Sequence, residues 1–128
     1  MRLLLDTHAV VWWLLDDERL SDVAASAIAD PGAAIFVSAA SAWEIATKVR
    51  LGKMPEMAGM LHRYEVDVAE EDFRVLPIEQ EHGLRAGMLI GAHGDPFDRM
   101  IAAQAILRDL TVVSRDREIA TLGCEVLW

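Results

Sequence analysis

A chain of 128 residues with 53% apolar content has the length of one domain and ample core material, which excludes a disordered or linker protein. Its 12 basic and 21 acidic residues give a formal charge of −9, which argues against holding nucleic acid on a broad basic face but not against a nuclease whose acids serve a cation. A single cysteine, Cys124, allows no internal disulfide, and no run of about 18 apolar residues offers a membrane span, so the cytoplasm is the expected compartment.

The opening Met1-Arg2-Leu3-Leu4-Leu5 has the look of a signal peptide, but Asp6 and His8 interrupt it and Asp16-Asp17-Glu18-Arg19 stands where a cleavage site belongs. It reads instead as a buried strand, Arg2-Leu5, followed by a helix over His8-Leu15 that Thr7 can cap. That helix is apolar nearly all round, which predicts one side packed on the sheet and another on something else, including a second copy of the chain. A helix over Leu20-Ala29 stops at Asp30-Pro31-Gly32, and Ala33-Val37 is the second strand. Ser38 or Ser41 caps a helix running to about Leu51, closed by Gly52. A loop from Met54-Pro55 leads to a helix over Ala58-Val66, a third strand at Phe73-Ile78 and a helix over Glu79-Gly91.

Asp95-Pro96-Phe97-Asp98 is a strong helix start, with Asp95 as cap and proline at the first helical position. This helix reaches about Asp109. Leu110-Val113 is a strand, Asp116-Leu122 a short helix, and Cys124-Trp128 closes the sheet. Helices alternating with short strands predict an α/β fold with a mostly parallel central sheet in a single domain, 1–128.

The carboxyl ends of parallel strands form one edge, where ligands bind. Asp6 follows the first strand, Glu44 lies a short way beyond the second, Asp116 follows the strand at 110–113, and Asp98 opens a helix. Four carboxylates brought together there repel one another unless a hard divalent cation sits among them. Each acid also has a plainer reading. Asp6 can cap exposed amides, Glu44 can pair with Lys48 four residues on, Asp98 can share a capping role with Asp95, and Asp116 can cap the last helix. Ser114 can add a hydroxyl ligand or orient a water. Arg99, Arg115 and Arg117 adjoin the acids and can hold phosphate oxygens, or lie solvated on the surface. His8, His62, His82 and His93 lack zinc-ligand spacing, and no phosphate-binding glycine loop or serine elbow occurs.

The segments Leu4-Leu5-Asp6-Thr7-His8-Ala9 with Trp12-Trp13-Leu14, Val37-Ser38-Ala39-Ala40-Ser41-Ala42-Trp43-Glu44-Ile45 with Lys48, Gly94-Asp95-Pro96-Phe97-Asp98-Arg99-Met100-Ile101-Ala102-Ala103-Gln104-Ala105, and Val112-Val113-Ser114-Arg115-Asp116 carry a resemblance. The chain resembles the PIN-domain ribonucleases, and within them the VapC-type toxins of bacterial type II toxin-antitoxin pairs, over its whole length. The resemblance implies a three-layer α/β/α domain in which Asp6, Glu44, Asp98 and Asp116 bind one or two Mg2+ or Mn2+ ions, with Ser114 at a position where a hydroxyl is common. It implies cleavage of RNA through a metal-activated water, a homodimer, and control by a cognate VapB-like antitoxin. A phosphatase of the haloacid-dehalogenase type needs a second aspartate where His8 stands. A catalytically silent binding module is disfavoured because four unpaired acids cost stability with no return.

Overall fold

The computed structural model describes residues 1–128. Five strands, β1 (Arg2–Leu5), β2 (Ala34–Ser38), β3 (Arg74–Leu76), β4 (Thr111–Val113) and β5 (Val126–Leu127), form one sheet in the order β3-β2-β1-β4-β5. Every pairing is parallel. The sheet has no antiparallel edge because each strand leads into a helical crossover and never into a tight hairpin. The crossovers carry α1 (Thr7–Leu14), α2 (Asp22–Ala29), α3 (Ala39–Arg50), α4 (Tyr64–Glu70), α5 (Gln80–Met88) and α6 (Pro96–Arg108), and a 3-10 turn at Arg117–Leu122 joins β4 to β5.

Alternation along the strands sorts the core into two faces. Leu3, Leu5, Ile35, Val37 and Val113 point into one cluster with Val10 and Val11 of α1, Ile28 of α2, Ile45 of α3 and Val68 of α4. Leu4, Leu76 and Val112 point into the other, with Ile101 and Ala105 of α6 and Ile119 and Leu122 of the last turn. Helices therefore cover both faces, the expected α/β/α layering. Both faces of β1 are sealed, which is why Leu3, Leu4 and Leu5 form an uninterrupted apolar run.

Three expectations are corrected. The segment expected to be a helix over Ala58-Val66 is instead two 3-10 turns, Pro55–Met57 and Leu61–Arg63, with α4 starting only at Tyr64. Gly59 weakens a continuous helix there, and burial of Met54 and Met57 folds the chain back onto the core. The cap of α1 is Asp6, not Thr7, whose hydroxyl donates to Ser41 Oγ at 3.1 Å and ties α1 to α3. The second apolar side of α1 is not bare. Trp13 meets Phe73 at 6.2 Å, Trp12 meets Trp128 at 5.8 Å, and Leu20 and Ala24 pack beside them, so the chain covers this helix itself.

Candidate metal centre

The direction in which the sheet is built reverses between β1 and β4: β2 and β3 are added on one side of β1, then β4 and β5 on the other. Such a reversal opens a crevice at the carboxyl ends of the two central strands. Asp6 and Ser114 stand there, each one residue beyond the paired Leu5 and Val113. A cleft of about 460 Å3 opens beside them, lined by Asp6, His8, Trp12, Arg19, Arg115 and Asp116.

Asp6 is buried and caps α1, its Oδ1 accepting from the Ala9 N–H at 2.8 Å. Capping and burial coexist, because one oxygen satisfies the helix and the other is left for a further partner. Burial pushes this carboxyl up to about 6, against the opposing effect of the Ser114 hydroxyl and the Ala9 N–H, while the charges of Asp98 and Glu44 raise it further. Glu44 lies on α3, whose first turn Ser38 caps. Its Oε2 accepts from the Lys48 ammonium, and Oε1 is buried with no partner at all. The helix pair foreseen as a surface alternative therefore exists, but it is sunk into the protein. The outward positions beside it belong to Trp43 and Ala46, while Glu44 and Ile45 are buried. Trp43 rests on Phe97 with ring centroids 4.8 Å apart, drawing α3 to the start of α6.

At that start, Asp95 Oδ1 takes the N–H groups of Phe97 and Asp98, so capping falls on Asp95 and the Asp98 carboxylate is released from it. Asp98 is half-buried and its pKa is raised, chiefly by burial, with His93 opposing and the charges of Asp95 and Glu44 adding. Asp116 caps the final turn through the Glu118 N–H and is exposed at the mouth of the cleft. Ser114 is buried and accepts from the Asp116 N–H at 3.0 Å, so it shapes the turn that presents Asp116 and also touches the Asp6 carboxyl.

The residue that sequence spacing missed is His93. Its Nε2 lies 2.8 Å from Asp98 Oδ2, and one ligating atom from each of His93, Asp98 and Asp116 falls within 4.8 Å of the others. The ring belongs to no zinc-like pattern, and only the fold of the segment before α6 sets it against Asp98. Asp6 and Glu44 stand outside this tight trio but are coupled to Asp98 by charge. The arginines divide. Arg99 is committed to the backbone, donating to the carbonyls of Ala86, Leu89 and His93 at 3.0, 2.6 and 3.0 Å, and so is not free for phosphate. Arg115 lies over the Trp12 ring at 4.9 Å on the wall of the cleft, and Arg117 is exposed.

These donors suit a hard divalent cation. A buried carboxylate oxygen with no partner, two carboxyls whose ionisation is opposed by burial, and an all-oxygen majority are what such an ion relieves. The atoms close enough together to share an ion are those of His93, Asp98 and Asp116, with Asp6 and Glu44 coupled to Asp98 by charge.

A model of the PIN domain matches residues 3–123. The fold is similar to chains in the structures of VapBC2 from Rickettsia felis bound to a promoter DNA fragment (TM-score 0.70, 16% identity, 99% of this chain and 98% of that one) and of FitAcB from Neisseria gonorrhoeae (0.64, 22%, 98% and 96%). It is also similar to a toxin-antitoxin complex from Klebsiella pneumoniae (TM-score 0.64, 19% identity, 98% of this chain and 96% of that one). No curated protein matches by sequence. The family match extends over nearly the whole chain and its parallel sheet, and the chain belongs to the PIN domain family.

Proposed function

We propose that this protein is a Mg2+-dependent endoribonuclease, with Mn2+ able to substitute, and that it is the toxin of a type II toxin-antitoxin pair. The observation that carries the reading is the gathering of His93, Asp98 and Asp116 close to the β1–β4 crevice, with Asp6 and Glu44 coupled to Asp98 by charge and Glu44 Oε1 buried and unpartnered. A bound divalent ion supplies a nucleophile near neutral pH and offsets charge on the phosphoryl oxygens. The chain's own part is to hold and orient. Asp6 is fixed by its helix, Asp98 is freed from capping by Asp95, and Asp116 is set by Ser114. Arg115, on the cleft wall, takes a phosphate oxygen of the incoming RNA.

The −9 charge and acidic crevice suit an Arg or Lys from an inhibitory partner segment, and a neighbour in fold is a toxin-antitoxin complex; a VapB-like antitoxin is therefore the proposed regulator. No helix is long and apolar enough to cross a membrane, and the proposed setting is the cytoplasm, as a homodimer of single-domain chains. The test is cleavage of a mixed RNA substrate with Mg2+, with EDTA, and by Asp98→Asn. Activity lost in EDTA, restored by Mg2+ and reduced by orders of magnitude in Asp98→Asn supports the reading. Full activity in EDTA rejects it. Co-expression with an adjacent antitoxin gene should relieve growth arrest, and harmless expression of the intact chain alone would reject the toxin role.

A further inference from the structure

His93 lies between two carboxylates. Nε2 is 2.8 Å from Asp98 Oδ2 and Nδ1 is 3.4 Å from Glu118 Oε2, and the side chain is only 14% exposed. Its backbone is pinned, since the His93 carbonyl accepts from Arg99 at 3.0 Å. We propose that His93 is a direct ligand of the ion held by Asp98 and Asp116, and that its ring nitrogen gives the centre a higher affinity for Mn2+ than for Mg2+, either of which it holds. This rests on the metal-centre reading above and not on RNA cleavage.

The geometry has the features of a ligating histidine. A metal-bound imidazole donates its other N–H to a carboxylate, and Glu118 stands on the Nδ1 side to accept it. Nε2 is then the nitrogen that faces Asp98. An ion bound there takes the place of the direct contact between Nε2 and Asp98 Oδ2. Adjacent donors around a six-coordinate ion with bonds of about 2.1 Å stand roughly 3 Å apart, and opposite ones roughly 4 Å. The 2.8 Å separation of Nε2 and Oδ2 matches such an edge, and rotation of the exposed Asp116 closes the remaining span.

The choice of ion follows from donor type. Mg2+ is hard, keeps an oxygen shell and gives up its waters reluctantly, whereas first-row transition ions accept imidazole readily. The other donors here are carboxylates, which hold the site toward the harder end of that row, where Mn2+ lies.

The test is calorimetric titration of the protein with MnCl2 and with MgCl2 in the absence of RNA, on the native chain, His93→Ala and Glu118→Gln, joined to pulsed electron paramagnetic resonance of the Mn2+ complex. The native chain should bind Mn2+ about tenfold or more tightly than Mg2+, and His93→Ala should lose roughly 10–100-fold in Mn2+ affinity with little change for Mg2+. A ring-nitrogen coupling to Mn2+ should be present in the native chain, kept in Glu118→Gln and absent in His93→Ala. Circular dichroism of each variant checks that the fold is kept. Equal loss for both ions without a nitrogen coupling means that His93 only orients Asp98, and overturns the inference. Unchanged affinities overturn it too. Binding of Mn2+ with the nitrogen coupling but without RNA cleavage removes the nuclease reading and leaves this one standing, whereas a native chain that binds neither ion removes both.

Discussion

Asp6 and Ser114 stand side by side at the ends of neighbouring parallel strands, and the Asp6 N–H donates to the Val113 carbonyl at 3.1 Å. Backbone register therefore fixes where the Asp6 carboxyl sits, buried on the wall of the crevice. The ionisation of this buried carboxyl is thereby tied to the stability of the fold.

The pH dependence follows from the sign of the shift. The ordinary value for Asp6 is 3.8 and burial carries it to about 6, so between these values the folded, metal-free protein holds a proton that the unfolded chain has lost. Stability is thus highest below the lower value and falls as pH rises through the upper one. Asp98 shifts in the same direction. Asp6→Asn should flatten this fall and stabilise the metal-free protein by up to about 3 kcal/mol at neutral pH. Urea unfolding in EDTA at mildly acid and neutral pH measures both quantities. An unchanged slope in the variant would locate the dependence in other groups.

Glu44 depends on Lys48 for its only neutralising partner in the metal-free state. Lys48→Met leaves a buried carboxylate alone and should destabilise the protein by about 3 kcal/mol, with the double variant Lys48→Met/Glu44→Gln recovering most of it. Thermal unfolding in EDTA reads the loss, and added Mn2+ should restore part of it by binding the folded state. Equal melting of Lys48→Met and the native chain would mean that the pair contributes nothing.

Much of this was legible in the residues. The apolar run Leu3-Leu4-Leu5 announces a strand buried on both faces, and Asp95-Pro96 announces α6 to the residue. The strand-end position of Asp6 was also readable. The reversal between β1 and β4 was not, because strand order is decided by crossovers that no local pattern encodes. His93 was hidden for a related reason: its partner Asp98 is five residues away across a loop, and Glu118 comes from beyond β4. Arg99 sat beside an acid in sequence and suggested phosphate binding, yet its fork meets carbonyls that the chain brings round only after α5 closes.

That fork gives the next expectation. The Arg99 guanidinium gathers carbonyls from the end of α5 to His93, a planar arrangement that a lysine ammonium cannot reproduce. Arg99→Lys should therefore raise amide exchange across residues 87–93 by about tenfold or more while leaving exchange in β1 unaltered. Gly91 adds to the sensitivity of this loop, since its φ of +154° places a would-be Cβ 3.0 Å from Leu122 Cδ2. Exchange in the loop no faster than in the native chain would show that side-chain packing, not the fork, holds it.

The proposed homodimer takes its motive from α5 and not from α1. Leu84 and Met88 are one turn apart on the outer side of α5, 74% and 79% exposed, and Ile90 just beyond is 94% exposed. Three large apolar side chains left in water along one short stretch favour burial against another protein surface, and a second copy presenting the same row buries both at once. Leu84→Glu/Met88→Glu should then convert a dimer to a monomer in sedimentation velocity at micromolar concentration. Because neither residue touches the core, the variant's melting temperature should drop only as far as loss of the dimer itself lowers it. A native chain that sediments as a monomer across the same range, or a double variant that remains dimeric, would move self-association away from this face.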